Sequence, residues 1–368
     1  MHIPDGYLSP QTYVPAYAAM VPLWWRASAK LGKSLRNRQV PILALGAAFS
    51  FVIMMFNVPI PGGSTGHAVG GVLVAILLGP WAAMIAVTLA LVVQALMFGD
   101  GGVTALGANC INMAVLMPFA GWAVYRLIAR NAPADSRRQW IGAAVGGYVG
   151  LNVAALSTGL MFGIQPLIAH DAAGRALYCP FGLKLALPAM CATHLLLFGV
   201  VEAVVTGMVV AYLQRVEPSL LPLPEERASA SSSTDLPPLL GERVGVRAHR
   251  FAVVIATLIV VSPLGLYLPA RFGAGSAWGE WSSDEIAKLA GYVPSGLRHL
   301  GSAWRAPMPD YALRGGESAS MGSQSAVYIL TAVIGVALIA LLAFALRKLI
   351  WRKAVEADTR LDAPTDGV

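Results

Sequence analysis

Apolar residues fall along this chain in long blocks, not in the short alternations of half-buried strands. Seven blocks fill the first part, roughly 11–25, 39–56, 67–79, 81–98, 103–128, 139–163 and 184–213. As helices, most are long enough to cross about 30 Å of hydrocarbon. The third is short, and Gly79-Pro80 supplies the turn into the fourth. The pattern then breaks between Glu217 and Arg250, where Pro218, Pro222, Pro224, Pro237, Pro238 and the polar tract Ser229–Thr234 have the composition of a linker. An eighth block, about 251–269, leads into a hydrophilic loop at about 270–325, and a ninth, about 326–346, ends on Arg347-Lys348 and Arg352-Lys353. The pattern predicts an all-α polytopic membrane protein. A seven-helix domain is expected over 1–215, a Pro/Ser-rich linker over 216–249, a two-helix C-terminal module with its loop over 250–353, and a tail over 354–368.

Composition supports the membrane assignment and adds an orientation. Mean hydropathy is +0.64, with 57% hydrophobic and only 12% charged residues, against about a quarter charged in a soluble domain. Met1-His2-Ile3-Pro4 lacks a basic stretch before an apolar run, so no cleavable leader is expected and the terminus should persist. With the N-terminus outside, Arg26, Lys30, Lys33, Arg36 and Arg38, then Arg126, Arg130, Arg137 and Arg138, fall in inner loops, together with the linker and the tail. That is the bias of a plasma-membrane protein with cytoplasmic positive charge. The net charge of +7 therefore reflects topology and gives no indication of a nucleic-acid partner. Cys110, Cys179 and Cys191 show no CxxC spacing, and an odd count argues against a disulfide framework.

The opening residues, Met1-His2-Ile3-Pro4-Asp5-Gly6, carry candidate metal chemistry. The α-amine of Met1 and the amide nitrogen of His2 close a five-membered ring on a metal; that amide and Nδ1 of His2 close a six-membered one. Three in-plane nitrogens leave one corner of a square open, a geometry that favours Ni(II) or Cu(II) over tetrahedral Zn(II). His67, in Gly62-Gly63-Ser64-Thr65-Gly66-His67, is the candidate fourth nitrogen, and the orientation above brings it to the same outer face. A frayed terminus is the plain alternative. The metal ligands expected are Met1, His2 and His67.

Other polar residues are weighed against structural roles. Gln94, Asn109 and Asn112 flank the outer loop Phe98-Gly99-Asp100-Gly101-Gly102; helix bridging is the preferred reading, support of the imidazoles the other. His194 and Glu202, eight apart in the seventh block, lie near one helical face and are either functional or paired structurally. Ala44-Leu45-Gly46-Ala47-Ala48 offers a small-residue face for close helix approach. Gly32-Lys33-Ser34 resembles the end of a phosphate-binding loop, but position 27 is Ala and no strand precedes it. Any ATP hydrolysis is therefore expected on another polypeptide. The chain also lacks HExxH, which disfavours a zinc protease, and the HxxxxDH helix of single-chain nickel and cobalt permeases.

Met1–Pro10 (MHIPDGYLSP), Gly62–Gly71 (GGSTGHAVGG) and Phe98–Met113 (FGDGGVTALGANCINM) resemble the CbiM/NikM family, the substrate-binding membrane component of nickel and cobalt energy-coupling-factor transporters. His194–Ala203 looks like a further family segment, and residues 250–353, with Pro309-Asp310-Tyr311, are similar to the small auxiliary subunit, here fused. The resemblance implies seven helices with the N-terminus threaded into the bundle, and metal held by the Met1 amine, the His2 amide and imidazole, and the His67 imidazole. It implies partners, a transmembrane coupling protein and cytoplasmic ATPases, and no organic cofactor. Pro4-Asp5-Gly6, where cobalt-type members carry Met-Glu-Gly, favours Ni2+ over Co2+ as the transported substrate. The competing readings are cobalt uptake for corrinoid synthesis, an ATP-independent secondary transporter using Glu202 or His194 as a proton relay, and a membrane scaffold.

Overall fold

The computed structural model describes residues 1–34, 40–60, 63–216, 218, 221, 244–315 and 319–361. Most of the expected linker, Arg36 and Arg38, and the end of the tail lie outside the described residues. Helix α1 (Pro10–Ser34) and helix α2 (Val40–Met54) are followed by a two-stranded antiparallel hairpin, β1 (Val58–Ile60) and β2 (Ser64–Gly66), with Val58 opposite Gly66. Then come α3 (Gly71–Leu78) and α4 (Pro80–Val93), the latter continuing as a π-helical turn over Gln94–Phe98. α5 (Leu106–Asn109) runs through a π-helical stretch, Cys110–Leu116, into α6 (Met117–Ala129). α7 (Arg137–Gly163), the short α8 (Gln165–Ile168) and α9 (Leu183–Thr193) follow; a third π-helical turn, His194–Phe198, joins α9 to α10 (Gly199–Val216). The auxiliary part is α11 (Val244–Val261), α12 (Leu264–Phe272), α13 (Ser283–Ala290), α14 (Ser295–Leu300), a 3-10 turn at Pro309–Tyr311, and α15 (Met321–Leu361).

Six helical stretches among the described residues are long and apolar enough to cross a membrane: 80–98, 106–129, 137–168, 183–216, 251–272 and 321–348. The first three expected spans behave differently. α1 has the length, but Arg26, Lys30 and Lys33 dilute its hydropathy. α2, with 15 residues, rises about 22 Å, and α3, with 8, only about 12 Å. The third block is therefore not a full span. His67–Gly70 runs irregularly, and a short helix completes the segment inside the protein.

α2, α3 and α4 form the centre, and their apolar residues are buried almost without interruption. Outer helices keep large apolar side chains exposed, among them Leu127, Leu196 and Met208, as a lipid-facing surface does. The auxiliary helices pack on α2: Tyr328 on α15 donates its hydroxyl to the Met55 carbonyl at 2.7 Å. The loop between α12 and α15 lies across one end of the bundle. Gly275 N–H reaches the Gly63 carbonyl on the hairpin (2.6 Å), Met308 N–H that of Met97 (3.0 Å) and Gly296 N–H that of Leu177 (2.7 Å).

Candidate metal centre

The N-terminal segment, extended but not part of a sheet, is not frayed. Met1, His2, Ile3, Tyr7, Leu8 and Ser9 are all buried, His2 to 2% exposure. Side chains and backbone of the bundle hold it in one register. Asn109 accepts the Ile3 N–H at 2.8 Å and returns a bond to the Ile3 carbonyl at 3.1 Å; the same carbonyl accepts from Gly102 N–H at 2.8 Å. The Asp5 carboxylate caps the next segment, accepting Val103 N–H (3.1 Å) and both the N–H (2.7 Å) and hydroxyl of Thr104. Gly6 turns the chain at φ +83°, a conformation open to glycine at little cost. Beyond it, Ser9 N–H meets Gln165 Oε1 at 2.8 Å, and the Tyr7 hydroxyl reaches the Trp281 carbonyl of the loop between α12 and α13.

This anchoring brings the rings of His2 and His67 to 4.9 Å between centroids, inclined by 30°. Nε2 of both rings is buried without a hydrogen-bond partner. A buried polar atom left unpaired costs free energy, so two of them side by side fit a pair of donors aimed at a ligand. The Met1 amine lies 3.3 Å from Glu280 Oε1 on the loop between α12 and α13. Burial first, then the neighbouring amine and His2 ring, holds the His67 imidazole well below the usual histidine range. It is thus neutral at neutral pH, the form that binds metal.

The His2 ring differs from the sequence expectation in one atom. Nδ1, assigned there to the chelate, is 2.8 Å from Asp100 Oδ1, because the Gly99–Gly102 turn delivers that carboxylate directly against the ring. Chelation through Nδ1 requires that contact to be exchanged for the metal, whereas Nε2 is already free. Burial opposes ionisation of Asp100, but the His2 and His67 rings and the Tyr311 hydroxyl outweigh it and hold the carboxyl well below its usual range.

The three amides divide between the two roles. Asn112 bridges helices, donating to Thr158 Oγ1 at 3.0 Å. Asn109 instead grips Ile3. Gln94 Nε2 donates to Asp100 Oδ2 (3.2 Å) and to the Tyr311 hydroxyl (2.9 Å). Gln94, Asn109 and Asn112 all sit in or beside the π-helical turns; such turns occur often at functional sites, where they re-aim side chains. Sequence reasoning noted Asp100 and Tyr311 only as parts of motifs and did not mark Glu280 or Gln165. An acidic residue flanked by glycines in an otherwise uncharged outer loop was the available signal for Asp100.

Glu202 and His194 do not join the imidazole pair. The Glu202 carboxylate, wholly buried, accepts Val69 N–H at 2.8 Å, Gly70 N–H at 3.1 Å and the Thr206 hydroxyl at 3.2 Å. It thereby fixes the backbone immediately after His67. His194 Nδ1 sits 2.7 Å from the Met190 carbonyl, and its ring meets Phe198 edge-on. Glu202→Ala should therefore cost about 1–3 kcal/mol for each backbone donor it orphans, read as a lower thermal midpoint in detergent. Glu202→Gln, whose amide oxygen still accepts, should recover part of that loss. An Ala variant as stable as the parent would remove the assigned role.

Fold and site together describe a multi-pass membrane protein for transition-metal transport. The chain belongs to the CbiM family, the cobalt uptake substrate-specific transmembrane region, whose profile matches residues 2–220, and it carries a NikN-like auxiliary subunit fused behind that region. It is 46% identical over 354 residues to the fused nickel transport protein NikMN of Rhodobacter capsulatus, covering 92% of this chain and 95% of that protein. A probable fused nickel transport protein, LarMN of Lactiplantibacillus plantarum, is 42% identical, with 93% and 96% covered. A crystal structure of a transition metal transporter superposes with a TM-score of 0.55 at 55% identity, covering 59% of this chain and 93% of that one.

Proposed function

We propose that this protein is the substrate-capture component of an energy-coupling-factor importer, taking Ni2+ from the outer side of the plasma membrane. The Met1 amine, His2 and His67 hold the ion, and a transmembrane coupling subunit with cytoplasmic ATPases drives its release inward. The observation that carries this reading is the facing pair of imidazoles, each with a buried, unpartnered Nε2, beside an α-amine on the same anchored segment. The carboxylates that meet the amine and Nδ1, Glu280 and Asp100, compensate positive charge there. The division of labour follows from chemistry: nitrogen donors select the metal here, and hydrolysis occurs on other chains. Preference for nickel is supported by Pro4-Asp5-Gly6 and by the two fused relatives, both named for nickel transport.

The family description and several relatives named for cobalt favour Co2+ as the second reading. Metal analysis and competition titration on untagged protein with a native N-terminus separate the two. One tightly held Ni2+ per chain, displaced by Co2+ only at large excess, is the expected result. Preferential retention of cobalt would reverse the substrate assignment, and no stoichiometric metal at all would remove the site. Uptake by this chain in vesicles without ATP or partner subunits would overturn the assignment to an energy-coupled complex.

A further inference from the structure

The auxiliary module reaches the metal centre through two side chains, Glu280 at the Met1 amine and Tyr311 at the carboxylate that holds His2. Tyr311 lies in the Pro309–Tyr311 turn, and both Asp310 (φ 53°) and Tyr311 (φ 59°) take the left-handed backbone conformation uncommon for such residues. Backbone cost of that kind persists where surrounding structure enforces it. Here the turn pushes Tyr311 into the bundle until it is 7% exposed. Its ring stacks on Phe98 at 4.7 Å and meets Phe51 and Tyr328 edge-on. Its hydroxyl donates to Asp100 Oδ2 at 2.5 Å and accepts from Gln94 Nε2 at 2.9 Å. The other oxygen of the same carboxylate, Oδ1, holds His2 Nδ1.

The result is a relay of three contacts: Tyr311 to Asp100, Asp100 to His2, His2 facing His67. A carboxylate on one imidazole nitrogen fixes the ring's orientation and tautomer and raises the donor strength of the other nitrogen. A carboxylate can do so only if its own rotation is stopped. Oδ2 is bound by two donors, Tyr311 and Gln94, and the first of these belongs to the fused module.

We propose that Tyr311 is a positioning residue for the metal centre: by pinning Asp100, it orients the His2 imidazole, so that the auxiliary module sets how tightly the substrate-binding domain holds its metal. This rests on the assignment of His2 and His67 as metal ligands. Tyr311→Phe is the variant of choice, because the ring keeps its place against Phe98 and only the hydroxyl is lost. Tyr328→Phe is the matched control: it removes a buried hydroxyl from the same aromatic cluster, but that hydroxyl bonds the Met55 carbonyl and not Asp100.

The experiment is Ni2+ titration of the full-length, untagged protein in detergent, with the visible ligand-field spectrum recorded on each complex. Loss of a supporting partner of this kind typically costs about 10- to 100-fold in metal affinity. Tyr311→Phe is expected to weaken Ni2+ by about tenfold and to shift the ligand-field band, while Tyr328→Phe lowers the thermal midpoint and changes neither. In a double-mutant cycle the effect of Tyr311→Phe should largely vanish in the Asp100→Asn background, because both act on one chain of contacts. Additive effects would mean that Tyr311 contributes packing alone, and would overturn the proposal. So would an unchanged or raised affinity in Tyr311→Phe, while parent binding that still depends on His2 and His67 would leave the ligand assignment standing. If Tyr311→Phe does not fold, Asp100→Asn alone decides: an unchanged band and affinity there end the relay. Nickel binding indifferent to His2→Ala and His67→Ala would remove the ligand assignment and the relay with it.

Discussion

A single glycine inserted between Met1 and His2 should reduce nickel affinity by on the order of 100-fold or more, beyond the roughly 10- to 100-fold cost of losing an outer-shell partner. The register of His2 is set downstream of the insertion. Asn109 and Gly102 hold Ile3, and the Asp5 carboxylate caps Val103 and Thr104, so His2 stays beside His67 while the amine is displaced by up to one residue, about 3.8 Å. With His2 Nδ1 held by Asp100 and its Nε2 left facing His67, the displaced amine no longer lies beside the imidazole pair and is lost as a donor. His2→Ala, which keeps the amine and removes an imidazole, should be equally damaging, and both variants should fold. pH adds a second readout. Deprotonating nitrogen donors makes binding release protons, so affinity should fall as pH falls. His67, held neutral by burial, adds nothing to that slope near neutral pH. The inserted variant, without the amine in the chelate, should show a flatter slope than the parent. Equilibrium dialysis at several pH values measures both quantities; an inserted variant that binds like the parent and still requires His67 would mean that the Met1 amine is not a ligand.

How far the sequence reached depends on the range of each interaction. Blocks of apolar residues are local and long, so the helical class and the positions of the long helices were legible, while the short α8, α13 and α14 were not. Where a block was short, the reading overreached: residues 67–79 hold only the 8-residue α3, because His67–Gly70 takes its backbone partners from Glu202 on a distant helix. His2 and His67 were legible as a pair because their types, their spacing from the terminus and the inferred topology all pointed to one face. The atoms were not. That Nδ1 of His2 meets Asp100 depends on a glycine-rich turn folding against a segment about a hundred residues away in sequence. An amide in an apolar helix gives no sign of which side its partner lies on, so from the sequence alone Gln94 and Asn109 look like helix bridges. Glu280 and Tyr311 belong to the polar loop between α12 and α15, where side-chain periodicity carries little information, and their role exists only once that loop lies across the bundle.

The second large effect is expected at a residue with no side chain. Gly102 passes so close to the N-terminal segment that a Cβ there would stand 2.3 Å from the Asp5 amide nitrogen and 2.6 Å from both Asp5 Oδ1 and the Pro4 carbonyl carbon. Two of those three atoms are backbone, which no rotamer change can move aside. Gly102→Ala must therefore displace the segment, the turn, or both, breaking the Gly102–Ile3 hydrogen bond and the cap that Asp5 places on Val103 and Thr104. His2 rides on that segment, and its facing arrangement with His67 does not survive a shift of even about 1 Å, the scale on which misplaced groups lose function. Nickel affinity should fall by on the order of 100-fold, the upper end of what losing the support of a ligand costs, although every proposed metal ligand is still present. The bundle itself, packed around α2–α4, should remain folded, seen as a cooperative thermal transition in detergent. Gly182→Ala is the control, since nothing lies within 4 Å of a Cβ at that position and its φ of −73° suits any residue. Gly102→Ala binding nickel as tightly as Gly182→Ala would mean that the ligands do not depend on the seating of this segment, and the metal centre would have to be sought away from the N-terminus.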